Sequence, residues 1–192
     1  MVKQLLAYNP IAQNVLAIEC SQNLGNPAYM VAELKLKKGE IDVNITKSVS
    51  EISELQKEYN TKKATLLLTD EFVLSKQVAH TGTDAEILGE AFPNLNSADF
   101  YYQILRSGGT AFIAVCRKDH VDGYIQRFKD AGIWVTEIAL GSLKMISFAS
   151  YIQNVGVLNH TSLIEYGDDQ IKAITTKAEE AEEEQYLSLI HI

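Results

Sequence analysis

The chain has 192 residues, 46% of them hydrophobic and 22% charged, and a formal net charge of −8. That is enough apolar material to bury a core as one domain or two small ones, and it excludes collagen-like, disordered and disulfide-scaffold classes. The acidic balance argues against nucleic acid, whose phosphates call for clustered Lys and Arg; without the run Glu179, Glu180, Glu182, Glu183 and Glu184 and without Lys177, 16 basic and 20 acidic side chains remain, an ordinary balance.

In chain order, MVKQLLAYNPIAQN meets Tyr8 and Asn9 too early to supply the roughly 7–15 apolar residues of a signal peptide. Asn14 to Cys20 (NVLAIEC) is a short apolar run and predicts a buried strand. Gly25, Asn26 and Pro27 mark the following SQNLGNPAY as a loop. Tyr29 to Lys38 and Ile41 to Thr46 alternate on either side of a Gly39-Glu40 turn, the pattern of a hairpin with one wet face. Ser50 is placed to cap a helix to Tyr59, with Ile52 and Leu55 inward. Ala64 to Asp70 (ATLLLTD) predicts a central strand, and Phe72 to Val78 a second one after a tight turn at Asp70-Glu71. Thr83 and Glu86 form a capping box for a helix over 84–92, which Pro93 ends. Asp99 to Arg106 and Thr110 to Arg117 predict paired strands around Ser107-Gly108-Gly109. Val121, Tyr124, Ile125 and Phe128 fall on one helical face of 119–130, and Ala131-Gly132 is the stop. A strand over 133–140, a helix over 142–153 and a hairpin of 161–166 with 170–175 complete the pattern. Strands and helices mix throughout, which predicts an α/β or α+β fold.

Candidate chemistry is sparse. Cys20 and Cys116 lie in apolar runs and read as small buried hydrophobes, which fits a reducing cytoplasm. His80, His120, His160 and His191 show no metal-ligand spacing, and each reads as a surface or loop residue in preference to a ligand. No G-x-S-x-G, G-x-G-x-x-G or P-loop pattern occurs. Ser107 to Thr110 and Gly167-Asp168-Asp169 are explained as turns, the latter in preference to a divalent-metal site. Tyr101, Tyr102 and Trp134 read as strand aromatics in the core. No run reaches the roughly 20 apolar residues of a membrane span. No catalytic, cofactor-binding or metal-ligating residue is assigned. The ending YLSLIHI follows the acidic run without a stop signal, which predicts a chain cut short and a last six residues or so that are not native.

Ile113 to Phe148 (IAVCRKDHVDGYIQRFKDAGIWVTEIALGSLKMISF) resembles one segment of the actin-like assembly proteins PilM, of type IV pili, and GspL, of type II secretion. In that segment a strand ending in a basic residue leads to a helix, then Ala-Gly, a strand and a helix. The strand at Asn14 to Cys20, the pair within Ala64 to Val78 and FYYQIL (Phe100 to Leu105) follow the same family order, so the likeness covers residues 12–165. It implies an actin-like, ribonuclease H-like lobe with mixed sheets over 1–160, a small α+β subdomain inserted near 64–135, and the start of a second lobe or an acidic linker over 161–192. ATP-binding members open with a D-x-G turn. The matching place here is Ala17-Ile18-Glu19-Cys20-Ser21-Gln22, with Glu19 at the Asp position and no glycine after it. SLIEYGDDQI, where a second phosphate loop belongs, also lacks D-x-G. The resemblance therefore implies a GspL-like, non-enzymatic cytoplasmic scaffold, peripheral to or tethered at the inner membrane. Its partners would be inner-membrane assembly proteins and the motor ATPase, and a homodimer is compatible with it. The alternatives are an actin-fold ATPase or sugar-kinase relative with a degenerate first loop, and a stand-alone α/β interaction module.

Overall fold

A computed structural model describes residues 14–23, 26–37, 40–79, 82–148, 156–158, 162–168 and 170–176. In chain order the elements are β1 (Asn14–Asn23), β2 (Asn26–Lys37), β3 (Glu40–Val49), α1 (Ser53–Tyr59), β4 (Lys63–Leu68), β5 (Leu74–Val78) and α2 (Asp84–Ala91). A short 3-10 turn at Ser97–Asp99 precedes β6 (Phe100–Ser107), β7 (Thr110–Arg117), α3 (Lys118–Asp130) and β8 (Trp134–Leu140). A 3-10 helix at Gly141–Phe148 leads to β9 (Gly156–Leu158), β10 (Ser162–Gly167) and β11 (Gln170–Thr176). The chain divides into two compact units, one drawn from Met1–Leu67 and Tyr124–Ile138, the other from Leu68–Gly123 and Ala139–Ile192.

The first unit is built on a five-stranded sheet of order β3-β2-β1-β4-β8. Strand periodicity places Leu16, Ile18 and Cys20 on one face of β1, opposite Glu33, Val31 and Tyr29 of β2, and all six are buried. The α3 helix covers this face: Tyr29 meets Tyr124 and Phe128 edge-on, with ring centroids 6.5 and 6.0 Å apart. Val49, Leu55, Tyr59, Leu66 and Ile133 extend the same core. The loop expected over Ser21 to Tyr29 is instead mostly ladder. Pairing runs from Asn14↔Lys35 to Asn23↔Asn26 without a break, and Pro27 lies in β2 opposite Gln22. A proline next to a hairpin turn forfeits at most one ladder bond, which continuous pairing on both sides outweighs. Glu40, expected in the next turn, is likewise in β3, paired with Lys37. Ser50 does not cap α1. The cap position is Ile52, and the Glu54 carboxylate reaches back to accept from the backbone N–H groups of Ser50 and Glu51.

Glu33 is the one acidic side chain buried on that sheet face among the described residues. It accepts from Lys62 Nζ at 3.0 Å and lies 3.5 Å from Lys35 Nζ. The hydrogen bond from Lys62 holds its carboxyl below the usual range against the opposing effect of burial. A depressed folded pKa gives stability that is present above the unfolded value, about 4.3, and is lost as pH falls through the lower folded value. Lys62→Met is therefore expected to be less stable than wild type at pH 6, with the gap closing by pH 3. Urea midpoints at the two pH values check this, and an unchanged gap contradicts it.

Thr61 holds φ at 67°, a conformation that β-branched residues rarely adopt, while its N–H donates to Gly132 O at 2.7 Å. Its side chain is exposed. Thr61→Asn keeps the bond and relieves strain, so thermal unfolding should show a gain of up to about 1 kcal/mol. A lower Tm would count against the strain.

The second unit has a three-stranded sheet of order β5-β7-β6 and another of order β11-β10-β9. One face of the first sheet packs on α2: Ile87, Leu88 and Ala91 join Ala111, Ile113 and Val115 in one cluster. The expected capping box is present, with Thr83 Oγ1 accepting from Glu86 N and Glu86 accepting from Thr83 N. The segment expected as a helix over 142–153 is a 3-10 helix in its described part, Gly141–Phe148. Its buried Ser142, Leu143 and Met145, with half-buried Ile146, pair up three residues apart, the period of that helix. Tyr166 Oη donates to Met145 O at 3.0 Å, fixing this turn to β10. The expected hairpins also form, around Gly108-Gly109, where φ is 58° and 84°, and between β10 and β11.

Candidate functional site

The place matching a first phosphate loop is strand throughout. Glu19, Cys20, Ser21 and Gln22 pair in register with Met30, Tyr29, Ala28 and Pro27. Ser21 is buried and its hydroxyl donates across the ladder to Ala28 O at 3.4 Å. Cys20 is fully buried under the sheet face. A phosphate cradle needs successive backbone N–H groups turned toward one point, which an extended ladder does not provide. In the matching second place, Gly167 pairs with Gln170, and Asp168 takes the left-handed region at φ 51° in the turn between them. Lys172 donates to Asp168 at 2.8 Å and holds that exposed carboxyl below its usual range. Asp169 lies outside the described residues, as do His80, His160, His191 and the acidic run.

The polar cluster that sequence reasoning missed is in the second unit. Asp70, just past the apolar strand β4, is buried to 0% side-chain exposure. Its carboxylate accepts from Phe72 N at 3.2 Å, and its backbone carbonyl accepts from Val73 N at 3.1 Å, a β-turn tightened by its own first residue. His120, in the first turn of α3, donates from Nε2 to the other Asp70 oxygen at 2.8 Å. The Phe72 ring lies 4.4 Å from the imidazole at a 40° tilt. His120 is therefore a half-buried anchor and not the surface residue expected. The two partners are 50 positions apart, so no local pattern could have signalled the pair. Asp119 accepts from the Arg117 guanidinium at 2.9 Å, and Arg117 holds it below its usual range.

Cys116 is buried beside this cluster. Burial, and then the negative charge of Asp70, push its thiol up to about 12. A thiol so placed is protonated at neutral pH and unsuited to nucleophilic work. Among the described residues no group of three or more His, Cys, Asp or Glu is arranged to hold a metal ion. The expectation of core aromatics fails at three positions: Tyr101, Tyr102 and Trp134 are 41%, 40% and 58% exposed. Tyr101 Oη donates to Asp122 at 3.2 Å, and Lys118 lies over its ring at 5.5 Å. Register puts Leu74, Val115 and Tyr102 in one row across β5, β7 and β6, where Val115 is covered and its two neighbours are half exposed. No helix among the described residues is long and apolar enough to cross a membrane.

No family model matches the chain, and no curated protein matches it by sequence. Solved structures do match it. The cytoplasmic domain of EpsL, an inner-membrane component of the type II secretion system of Vibrio cholerae, superposes with a TM-score of 0.53 at 13% identity, over 82% of this chain and 68% of that one. A chain of a PilM-PilN type IV pilus biogenesis complex gives 0.57 at 13% identity, over 84% of this chain and 61% of that one. This chain thus spans about three fifths to two thirds of the length of these two structures. At such identity the likeness is one of fold, and at that level it bears out the resemblance read from Ile113 to Phe148. The chain has an actin-like fold, α/β with mixed sheets, of the kind seen in PilM- and GspL-type proteins.

Proposed function

We propose that this chain acts as a non-enzymatic scaffold on the cytoplasmic side of an inner-membrane assembly platform, of the type IV pilus or type II secretion kind, through protein–protein contacts. The observation that carries the reading is the fold, shared with two components of such machines. The non-catalytic part is supported by the ladder through Glu19 to Gln22, where nucleotide-binding actin-like proteins need an open, glycine-containing turn. Partners under this reading are inner-membrane pilus or secretion proteins and the motor ATPase. Under this reading the first lobe takes in residues 1–160, with a small subdomain inserted near 64–135, and 161–192 begin a second lobe or an acidic linker.

Two measurements test it. A nucleotide at about 100 times its dissociation constant stabilises a protein by roughly 2.7 kcal/mol, so an ATPase of this size should gain several degrees in Tm with saturating Mg-ATP. The expected result is no shift at millimolar Mg-ATP; a clear shift favours the ATPase or sugar-kinase reading. In a pull-down, immobilised chain is expected to recover inner-membrane components of a pilus or secretion machine. Recovery of none from a membrane extract that contains them sinks the scaffold reading.

A further inference from the structure

We draw no further inference here: the strongest candidate, the half-exposed Leu74 and Tyr102 that flank the buried Val115 at the rim of the α2-covered face of the β5-β7-β6 sheet, is a small surface patch and nothing in the structure shows what would cover those two side chains.

Discussion

Gly132→Ala is expected to destabilise the protein by about 2 kcal/mol or more, among the largest effects of any single methyl group added to this chain. Gly132 follows α3 with φ at 75°. Its N–H donates to Lys129 O at 2.9 Å, and the next N–H, of Ile133, donates to Phe128 O at 2.9 Å. That is a Schellman closure, with the fully buried Phe128 and Ile133 at its two ends. A left-handed alanine costs about 1–2 kcal/mol in backbone strain. A Cβ at Gly132 would also lie 2.2 Å from Asn60 Oδ1 and 3.0 Å from its Cγ, too close for either to stay. Asn60 is exposed and its amide can swing clear, so the backbone strain carries most of the effect, at a joint where Thr61 N donates to Gly132 O and Trp134 N to Lys62 O. With a urea m-value of about 2 kcal/mol/M, the midpoint should fall by roughly 1 M. Gly123→Ala is the control: nothing lies within 4 Å of a Cβ added there, inside α3, so helix propensity should raise stability by up to about 1 kcal/mol. Asn60→Ala in the Gly132→Ala background should recover the steric share and leave the backbone share. Equal midpoints for the two glycine variants would refute the geometry.

The sequence made local structure legible wherever the physics is local. The helical face Val121, Tyr124 and Phe128, the Thr83–Glu86 box and the Gly132 stop depend on neighbours a few residues away, and each is present in the structure. The failures are of another kind. SQNLGNPAY has turn composition, but pairing of β1 with β2 through Asn23↔Asn26 overrode it over most of its length. Alternation in β6 and β8 shows which residues share a face, not whether anything lies on that face, so Tyr101, Tyr102 and Trp134 were misread as core. The Asp70–His120 pair was invisible because the end of β4 and the start of α3 meet only in the folded unit. The actin-like fold, by contrast, is implied by the resemblance that Ile113 to Phe148 carries, and the likeness of fold to solved structures holds at 13% identity, too low for sequence matching.

That hidden pair gives the second large effect. Asp70→Ala is expected to cost about 3 kcal/mol, because it removes the acceptor that closes the turn before β5 and strips His120 of a buried partner. His120→Ala should cost about 2 kcal/mol, through a lost hydrogen bond to a buried carboxylate and a lost contact with the Phe72 ring. The informative number is the coupling between them. If the 2.8 Å contact carries the stability, the double variant falls short of the sum of the single ones by at least 1 kcal/mol or so. Asp70→Asn separates the two roles of the carboxylate: an amide oxygen still accepts from Phe72 N, while the charge facing His120 is gone. Its loss should therefore lie between that of wild type and that of Asp70→Ala. Urea titrations followed by circular dichroism at pH 7 measure all four variants. Additive single effects would mean that Asp70 acts through the turn alone, with His120 merely lying beside it.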